Sequence, residues 1–251
     1  MLTVRRLCKS FGGIKAVQDI SFSITRRTIY SIIGPNGAGK TTLFNLISGI
    51  YAPTEGEILL EGQSTANQSS DKLARLGLSR TFQNLQVCMN MSALENVMVG
   101  AHLRMNSGFL AGMLHLPGLG RAERNCRDEA SEWMDFVGVG RYVKAHASQM
   151  PYGALKRLEI ARALATKPKL LLLDEPAAGL NHTETGQIQA VIQKVAATGV
   201  TVVLVEHDMK LVMNLSDHIL VLDYGKKLAE GTATEVRANP DVIAAYLGAS
   251  A

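Results

Sequence analysis

A glycine-rich segment that ends in lysine and threonine offers the clearest chemistry in this chain of 251 residues. Residues 34–41 read Gly-Pro-Asn-Gly-Ala-Gly-Lys-Thr and fit the pattern GxxxxGK[ST] without a mismatch. Glycines let the backbone wrap closely around an anion with its N–H groups pointing inward. The helix that follows would add its positive end. The segment therefore predicts a site for the phosphate groups of a nucleotide.

The residues of this phosphate loop have separate expected roles. Lys40 is expected to reach the β- and γ-phosphates, and the hydroxyl of Thr41 is expected to bind Mg²⁺. Thr42 is a further donor for the α-phosphate. An apolar run before the loop and a helical pattern over residues 41–50 after it are the context that the motif requires. The remaining residues expected to contact the nucleotide are Asn36, Gly37, Ala38 and Gly39.

Two adjacent carboxylates follow a second apolar run. Residues 169–173 predict a strand, and Asp174 and Glu175 come directly after it. In proteins with a phosphate loop, an aspartate at the end of such a strand holds Mg²⁺, usually through water. A neighbouring carboxylate can orient or deprotonate the attacking water. Together with the upstream loop, the pair predicts magnesium-dependent cleavage of a phosphate bond.

The elements that position these residues alternate between strands and helices. Apolar residues recur at spacings of three and four over 122–137 and 155–164, which predicts two helices. The glycine-containing stretch 106–120 is expected to be a loop or a short exposed apolar insertion. The order predicts one parallel-sheet core into which a helical subdomain is inserted. Strands are predicted over residues 2–7, 19–24, 29–33, 56–62, 169–173, 201–205 and 218–223.

The composition is that of a folded chain. Hydrophobic residues make up 47% and charged residues 19%, which excludes an intrinsically disordered protein. No apolar run reaches the roughly 18 residues of a membrane-spanning helix, and we expect no secretory signal peptide. The net charge of +4 is mild and aromatic residues are only 5%, so no nucleic acid partner is expected. Cysteine and histidine spacings predict reduced thiols and no zinc site.

Further motifs follow in an order that resembles the nucleotide-binding domains of ABC ATPases over nearly the whole chain. Gln83, in Thr-Phe-Gln-Asn, is similar to the Q-loop of that family. Residues 150–154, Met-Pro-Tyr-Gly-Ala, align with its signature LSGGQ. Residues 174–181 resemble Walker B followed by the D-loop, which is 178–181. His207, in Val-Glu-His-Asp, matches the H-loop histidine.

The resemblance implies a fold and a nucleotide. The fold would be α/β, with a P-loop NTPase (RecA-like) parallel-sheet core, an antiparallel β subdomain and an inserted α-helical subdomain. Within a single ABC ATPase domain, residues 1–88 and 166–251 would form the β subdomain and core, and residues 89–165 the helical subdomain with the signature. The nucleotide would be ATP with Mg²⁺. Phe11 would stack on the adenine and Val17 would contact the nucleotide, although Phe11 has a simpler alternative as a core aromatic.

The resemblance also implies catalytic and metal-binding roles. Glu175 would be the catalytic base. His207 would hydrogen-bond the γ-phosphate. Gln83 would sense the metal and the water, and it would join Thr41 and Asp174 at the Mg²⁺.

In the family, two such domains meet head to tail and sandwich two ATP molecules. Tyr152, Gly153 and Ala154 of one protomer would therefore contact the nucleotide of the other. This signature departs from LSGGQ, because Pro151 replaces the serine and has neither a hydroxyl nor a backbone N–H. The backbone from Gly153 onwards would have to contribute more. Asn181 stands where aspartate is commoner.

Several segments resemble more narrowly the LivG-type ATP-binding subunits of branched-chain amino acid uptake transporters. These segments include residues 81–84, 174–181 and 239–248. The likeness implies a cytoplasmic subunit, peripheral on the inner face of the cell membrane, that docks on two transmembrane permease subunits. It also implies a second ABC ATPase subunit, in a homodimer or heterodimer, and indirect cooperation with an extracytoplasmic solute-binding protein. Residues 108–119 and the surface near Gln83 are the candidate docking sites.

Other functions compete with this interpretation. The ATPase of a lipid or lipopolysaccharide exporter has closely similar motifs. A non-transport ABC ATPase acting on ribosomes or DNA usually has two cassettes or a long coiled-coil insertion, and neither is visible. A kinase with a phosphate loop would need neither the signature nor the H-loop. Among solutes, an amino acid is the first expectation, although relatives also serve urea and other small organic solutes.

Overall fold

Ten strands form two sheets in the part of the chain that the structure, a computed structural model, describes: residues 1–66, 68–102 and 119–248. The strands are β1 (Leu2–Phe11), β2 (Ile14–Ile24), β3 (Ile29–Ile33), β4 (Glu55–Leu60), β5 (Gln63–Ser64), β6 (Leu78–Arg80), β7 (Leu170–Asp174), β8 (Thr201–Val205), β9 (His218–Asp223) and β10 (Lys226–Gly231).

The described residues also form nine α-helices around these sheets. They are α1 (Lys40–Ile47), α2 (Ser70–Leu76), α3 (Ala93–Ala101), α4 (Leu119–Phe136), α5 (Tyr152–Leu164), α6 (His182–Ala197), α7 (Met209–Leu215), α8 (Ala233–Ala238) and α9 (Pro240–Gly248).

The larger sheet has six strands in the order β10-β9-β3-β8-β7-β6. All neighbours are parallel except β10, which runs antiparallel to β9. Every residue of β3, β7 and β8 is buried, as expected for parallel strands that are covered on both faces. The carboxyl ends of these strands meet at one edge of the sheet, which is where open α/β sheets bind ligands.

The two faces of this sheet belong to different apolar cores. In β8, Val202 and Leu204 pack into a core shared with α3, α4 and α5. Val203 and Val205 point the other way, into a core shared with α1 and the antiparallel sheet β2-β1-β4-β5. Because side chains alternate along a strand, one short apolar segment joins the helical cluster to the antiparallel sheet.

The helices α3, α4 and α5 contact one another. Helix α3 begins with a capping box in which Ser92 accepts from the backbone N–H of Glu95, and Glu95 accepts from that of Ser92. Apolar side chains such as Val97, Met134 and Leu158 are fully buried between the helices. The α/β fold with an inserted helical cluster is thus confirmed.

Most predicted elements are confirmed, but several observed elements were not predicted. The strands over 29–33, 201–205 and 218–223 have the predicted bounds. The strands β5, β6 and β10 were missed, because the first two have only two and three residues and β10 is mostly polar. The short helices α2, α3, α8 and α9 were also missed. Most of the expected loop over 106–120, and of the docking candidate over 108–119, lies outside the described residues. Within the described ranges, no helix is long and apolar enough to cross a membrane.

Candidate nucleotide site

The phosphate loop connects the end of β3 to the start of α1, at the carboxyl edge of the parallel sheet. Gly39 immediately precedes the helix with a φ of 96°, a left-handed conformation that disfavours other residues. A Cβ on Gly39 would lie 2.5 Å from the carbonyl oxygen of Ala16 in β2. A side chain at Gly34 would come still closer to the backbone of Leu222. The glycines therefore let the loop pack tightly between two strands.

Lys40 is the first residue of α1, and its side chain folds back over the loop. Its Nζ donates to the carbonyl oxygens of Gly34 at 2.7 Å and Pro35 at 2.9 Å. The residue is only 6% exposed. Burial lowers the pKa of Lys40, an effect that the nearby carboxylate of Glu175 opposes. The ammonium group is thus a desolvated cation with weak partners, which suits it to bind a phosphate.

A cleft of about 360 Å³ brings most of the predicted site residues together. Its walls include the loop and the first residues of α1, numbered 36–42, and three side chains from other strand ends. Gln83 follows β6, Glu175 follows β7 and His207 follows β8. Because these strands are neighbours in one parallel sheet, residues distant in sequence meet at its edge.

Glu175 is the centre of the polar contacts in this cleft. Its Oε1 lies 2.8 Å from Nε2 of His207, and its Oε2 accepts from Nε2 of Gln83 at 3.0 Å. The backbone of Glu175 has a φ of 48°, a strained conformation that such sites often contain. Its N–H donates to the carbonyl oxygen of Val205 at 2.9 Å. The carboxylate is therefore held in one place from two sides.

Asp174 ends β7 and is 5% exposed. Its Oδ2 accepts from the guanidinium of Arg80 at 2.7 Å. The same guanidinium donates to Asn45 of α1 and to Ser48, the C-cap of that helix, each at 2.7 Å. Among the described residues, Nε of Arg80 is the only buried side-chain nitrogen or oxygen without a hydrogen-bond partner. Arg80 thus fixes Asp174 against α1 and leaves Oδ1 of Asp174 outside that ion pair.

The donor set fits a cation that arrives with a nucleotide. Among the described residues, no three His, Cys, Asp or Glu side chains cluster in a way that would hold a metal alone. Mg²⁺ in phosphate sites is usually held by one or two protein oxygens together with substrate phosphates and water. The hydroxyl of Thr41 in the cleft and the carboxylate of Asp174 match that pattern.

Phe11 and Val17, on the β1–β2 hairpin, do not line the cleft. Phe11 is 42% exposed, and its ring centroid lies 5.3 Å from that of Tyr51. The alternative that Phe11 is a core aromatic is therefore wrong. Val17 is 1% exposed and packs in the core with β1 and β4. Its neighbour Ala16 lines the cleft instead.

The signature segment lies apart from this cleft. Pro151 is the N-cap of α5 and supplies no side-chain cap. Tyr152 is 45% exposed, while Ala154 is buried. A Cβ on Gly153 would lie 2.4 Å from Oε1 of Glu184 on α6. A Cβ on Gly179, in the D-loop, would lie 3.3 Å from the Tyr152 ring. The signature therefore packs against the D-loop and α6 of its own chain.

Sequence reasoning missed three residues that shape the site: Ala16, Arg80 and Glu206. Arg80 immediately precedes Thr-Phe-Gln-Asn and Glu206 lies within Val-Glu-His-Asp, but no spacing rule assigns a role to either. Glu206 is 4% exposed and accepts hydrogen bonds from two catalytic loops. Burial raises the pKa of Glu206. The signal that could have identified it is a charged residue at the end of a fully apolar strand.

Comparison with protein families gives two matches. The family described as "ABC transporter" matches residues 17–178. The family described as "Branched-chain amino acid ATP-binding cassette transporter" matches residues 226–251. The first match contains the phosphate loop, Gln83, the signature and Glu175.

Curated relatives cover nearly the whole chain. The high-affinity branched-chain amino acid transport ATP-binding protein BraF of Pseudomonas aeruginosa is 46% identical over 249 residues, which is 99% of this chain and 98% of BraF. The corresponding protein LivG of Escherichia coli K12 is 43% identical over 249 residues, with the same coverage of 99% and 98%. A probable LivG of Archaeoglobus fulgidus is 33% identical over 252 residues, with coverage of 99% and 96%.

Solved structures with a similar fold are also ATP-binding cassettes. The ADP conformation of MJ1267, a cassette of an ABC transporter, superposes with a TM-score of 0.86 at 30% identity and covers 99% of this chain and 98% of its own. A dimeric post-hydrolysis state of the cassette MJ0796, bound to ADP and Pi, superposes with a TM-score of 0.78 at 26% identity and covers 93% and 99%.

Proposed function

Because this chain belongs to the ABC transporter family, we propose that it is the ATP-hydrolysing subunit of an importer for branched-chain or other amino acids. The observation that supports the hydrolytic part most strongly is the cleft in which the phosphate loop meets Gln83, Glu175 and His207. The substrate class rests on the names of the relatives BraF and LivG. The site of this chain is built for phosphates, so its own residues do not specify the solute.

In this proposal, ATP binds with its phosphates against the loop. The backbone N–H groups of residues 36–42 donate to the phosphate oxygens. Lys40 exchanges its two carbonyl partners for the β- and γ-phosphates, which is favourable because an anionic oxygen is a stronger acceptor than a neutral carbonyl. Phe11 stacks on the adenine from the β1–β2 hairpin, where its ring is exposed. Val17 does not line the cleft, and its buried side chain holds the β1–β2 hairpin against the core.

Hydrolysis depends on the three side chains at the strand ends. Glu175 orients the attacking water and accepts its proton. His207 donates to the γ-phosphate, and Gln83 positions the water and senses the metal. The contacts of His207 and Gln83 with Glu175 support these roles, because they hold each of these two side chains within hydrogen-bond distance of Glu175.

Bound Mg²⁺ would neutralise part of the negative charge on the phosphates. We assign Thr41, Asp174 and Gln83 as the residues that hold it. Arg80 occupies Oδ2 of Asp174, so Oδ1 is the oxygen that remains for the metal or its water. The ion pair also holds the buried carboxylate in a fixed orientation.

ATP hydrolysis operates in a head-to-tail pair of cassettes in this proposal. Tyr152, Gly153 and Ala154 contact the nucleotide of the partner through the backbone at the start of α5. The separation of the signature from the cleft in one chain supports this arrangement, because a second cassette is then needed to bring the two together. The D-loop up to Asn181 lies beside the signature and joins the same interface. The partner is either a second copy or a similar subunit.

The cassette docks on two transmembrane permease subunits at the inner face of the cell membrane, and an extracytoplasmic solute-binding protein delivers the solute to them. The surface near Gln83 is the proposed contact. We also propose that residues 89–165 act as a helical subdomain distinct from residues 1–88 and 166–251. An exporter of lipid or lipopolysaccharide is the alternative, and the names of BraF and LivG favour the importer.

Two measurements test this function. ATP turnover by the purified chain with Mg²⁺ tests the proposed hydrolysis, and absence of turnover would overturn it.

Uptake of labelled leucine and labelled urea by cells that lack this gene tests the substrate class. Leucine uptake restored by the chain, but not by its Glu175→Gln variant, is the expected result. Restored urea uptake without leucine uptake would contradict the assignment to amino acids.

A further inference from the structure

A buried carboxylate to which no role was assigned links the segments that follow β7 and β8. Glu206 follows β8 directly and is 4% exposed. Its Oε1 accepts from the backbone N–H of Ala177 at 2.8 Å. Its Oε2 accepts from the backbone N–H of His207 at 3.0 Å. One side chain therefore holds the segment after β7 and the segment after β8 at the same time.

These bonds close a ring of contacts around the proposed base. The N–H of Glu175 donates to the carbonyl oxygen of Val205 at 2.9 Å, one residue before Glu206. The imidazole of His207 lies 2.8 Å from the carboxylate of Glu175. Fixing the backbone of His207 and the backbone of Ala177 therefore fixes the two ends of the Glu175–His207 contact.

A buried carboxylate is a costly way to join two loops. Desolvation penalises its charge, and the nearby Glu175 adds repulsion. An apolar side chain at this position would avoid both penalties. Two partly buried backbone N–H groups would then lose their acceptor, which is also unfavourable. The arrangement makes physical sense where the relative placement of the two loops matters for the chemistry.

We propose that Glu206 is a positioning residue for ATP hydrolysis, which sets the placement of His207 relative to the loop that contains Glu175. This inference rests on the proposed function. Glu206 acts through the backbone of its neighbours and does not touch the phosphates. It therefore affects the rate of hydrolysis and leaves the affinity for ATP unchanged.

The geometry specifies which substitutions are informative. Glu206→Gln keeps the size of the side chain, but its NH₂ group cannot accept, so either Ala177 or His207 loses its acceptor. Glu206→Asp keeps the charge and both oxygens, but withdraws them by about 1.5 Å, the length of one carbon–carbon bond. Glu230→Gln is the matched control, because Glu230 accepts from Tyr30 at the other end of the sheet.

The test measures both the dissociation constant for ATP and kcat for each variant. We expect both Glu206 variants to bind ATP within about twofold of the unsubstituted chain and to lose about tenfold to a hundredfold in kcat, the size of effect that misplacing a catalytic group by about 1 Å produces. The Glu230→Gln variant should match the unsubstituted chain in both. Retention of kcat by either Glu206 variant would overturn the proposal.

A double-substitution cycle distinguishes positioning from general weakening of the fold. In single-turnover measurements, Glu206→Gln should reduce the rate much less in a His207→Ala background than in the unsubstituted chain, because the residue that it positions is gone. An equal loss in both backgrounds would contradict the proposal. Failure of the unsubstituted chain to hydrolyse ATP would instead contradict the proposed function itself.

Discussion

Nε2 of His207 lies 2.8 Å from Oε1 of Glu175, although 32 residues separate them in the chain. The second oxygen of Glu175 accepts from Gln83. The proposed base therefore contacts both the proposed γ-phosphate ligand, His207, and the proposed metal sensor, Gln83. Each of the three comes from a different strand end, and the neighbouring positions of β6, β7 and β8 in the sheet account for their meeting.

Lys40→Ala should lower the affinity for ATP with Mg²⁺ by roughly tenfold to a hundredfold, since hydrogen bonds from a charged donor contribute about 1.5 to 3 kcal/mol. Isothermal titration calorimetry measures the change. Lys72→Ala on α2, where the side chain is exposed, is the control and should bind as the unsubstituted chain does. Equal affinities of the Lys40→Ala variant and the unsubstituted chain would refute the assigned role.

Phe11→Ala should weaken ATP binding by about 1 kcal/mol, or roughly fivefold, if the exposed ring stacks on the adenine. Phe11→Tyr keeps the stacking face and should retain the affinity. Displacement of a fluorescent ATP analogue provides the measurement. If both variants bind ATP as the unsubstituted chain does, then Phe11 does not stack on the adenine and serves its contacts with Tyr51 and Lys9 instead.

The phosphate loop and the strand ends could be predicted because their chemistry is local. A short pattern of glycines with lysine and threonine is sufficient to identify the loop, and four leucines followed by Asp174 are sufficient for β7. The helical periodicity over 122–137 likewise predicted α4 from local spacing. These signals depend on neighbours in sequence, which a single chain displays directly.

The partners of the site residues could not be predicted, because they depend on contacts across the fold. The ion pair of Arg80 with Asp174 joins residues 94 positions apart. Glu206 acquires its role from the N–H of Ala177, which the sequence places 29 positions away. The burial of Val17 beside the cleft-lining Ala16 depends on which way the strand β2 faces. Such information requires the register of the sheets.

Arg80→Met should reduce the free energy of unfolding by about 3 to 5 kcal/mol, because it leaves the carboxylate of Asp174 buried and unpaired. Both side chains of this pair are only 6% exposed. Urea denaturation followed by circular dichroism measures the loss. The double variant Arg80→Met with Asp174→Asn removes the unpaired charge and should recover part of the stability. No recovery would attribute the loss to packing instead.

Glu159 provides a prediction on pH. The residue is 3% exposed, and burial raises its pKa, against the opposing effects of the Gln86 N–H and of Arg162. A pKa raised above the unfolded value of about 4.3 means that the folded state favours the proton. The contribution of Glu159 to the free energy of unfolding is therefore fully present below the unfolded pKa, and it is lost as pH rises through the folded pKa.

Glu159→Gln keeps a neutral side chain at every pH. The difference in unfolding free energy between this variant and the unsubstituted chain should therefore shift in favour of the variant as pH rises from about 4 to 8. Urea denaturation at constant ionic strength measures it. If the unfolding free energies of the two proteins changed with pH in parallel, the pKa of Glu159 would be the same in the folded and unfolded states.

In the proposed function, ATP joins two of these cassettes and Glu175 then drives its cleavage. Sedimentation velocity of the Glu175→Gln variant with Mg²⁺ and either ATP or ADP, together with its turnover, tests both steps. We predict a dimer with ATP, a monomer with ADP, and turnover reduced about a hundredfold or more, as for the loss of a general base. A monomer with both nucleotides and unchanged turnover would contradict it.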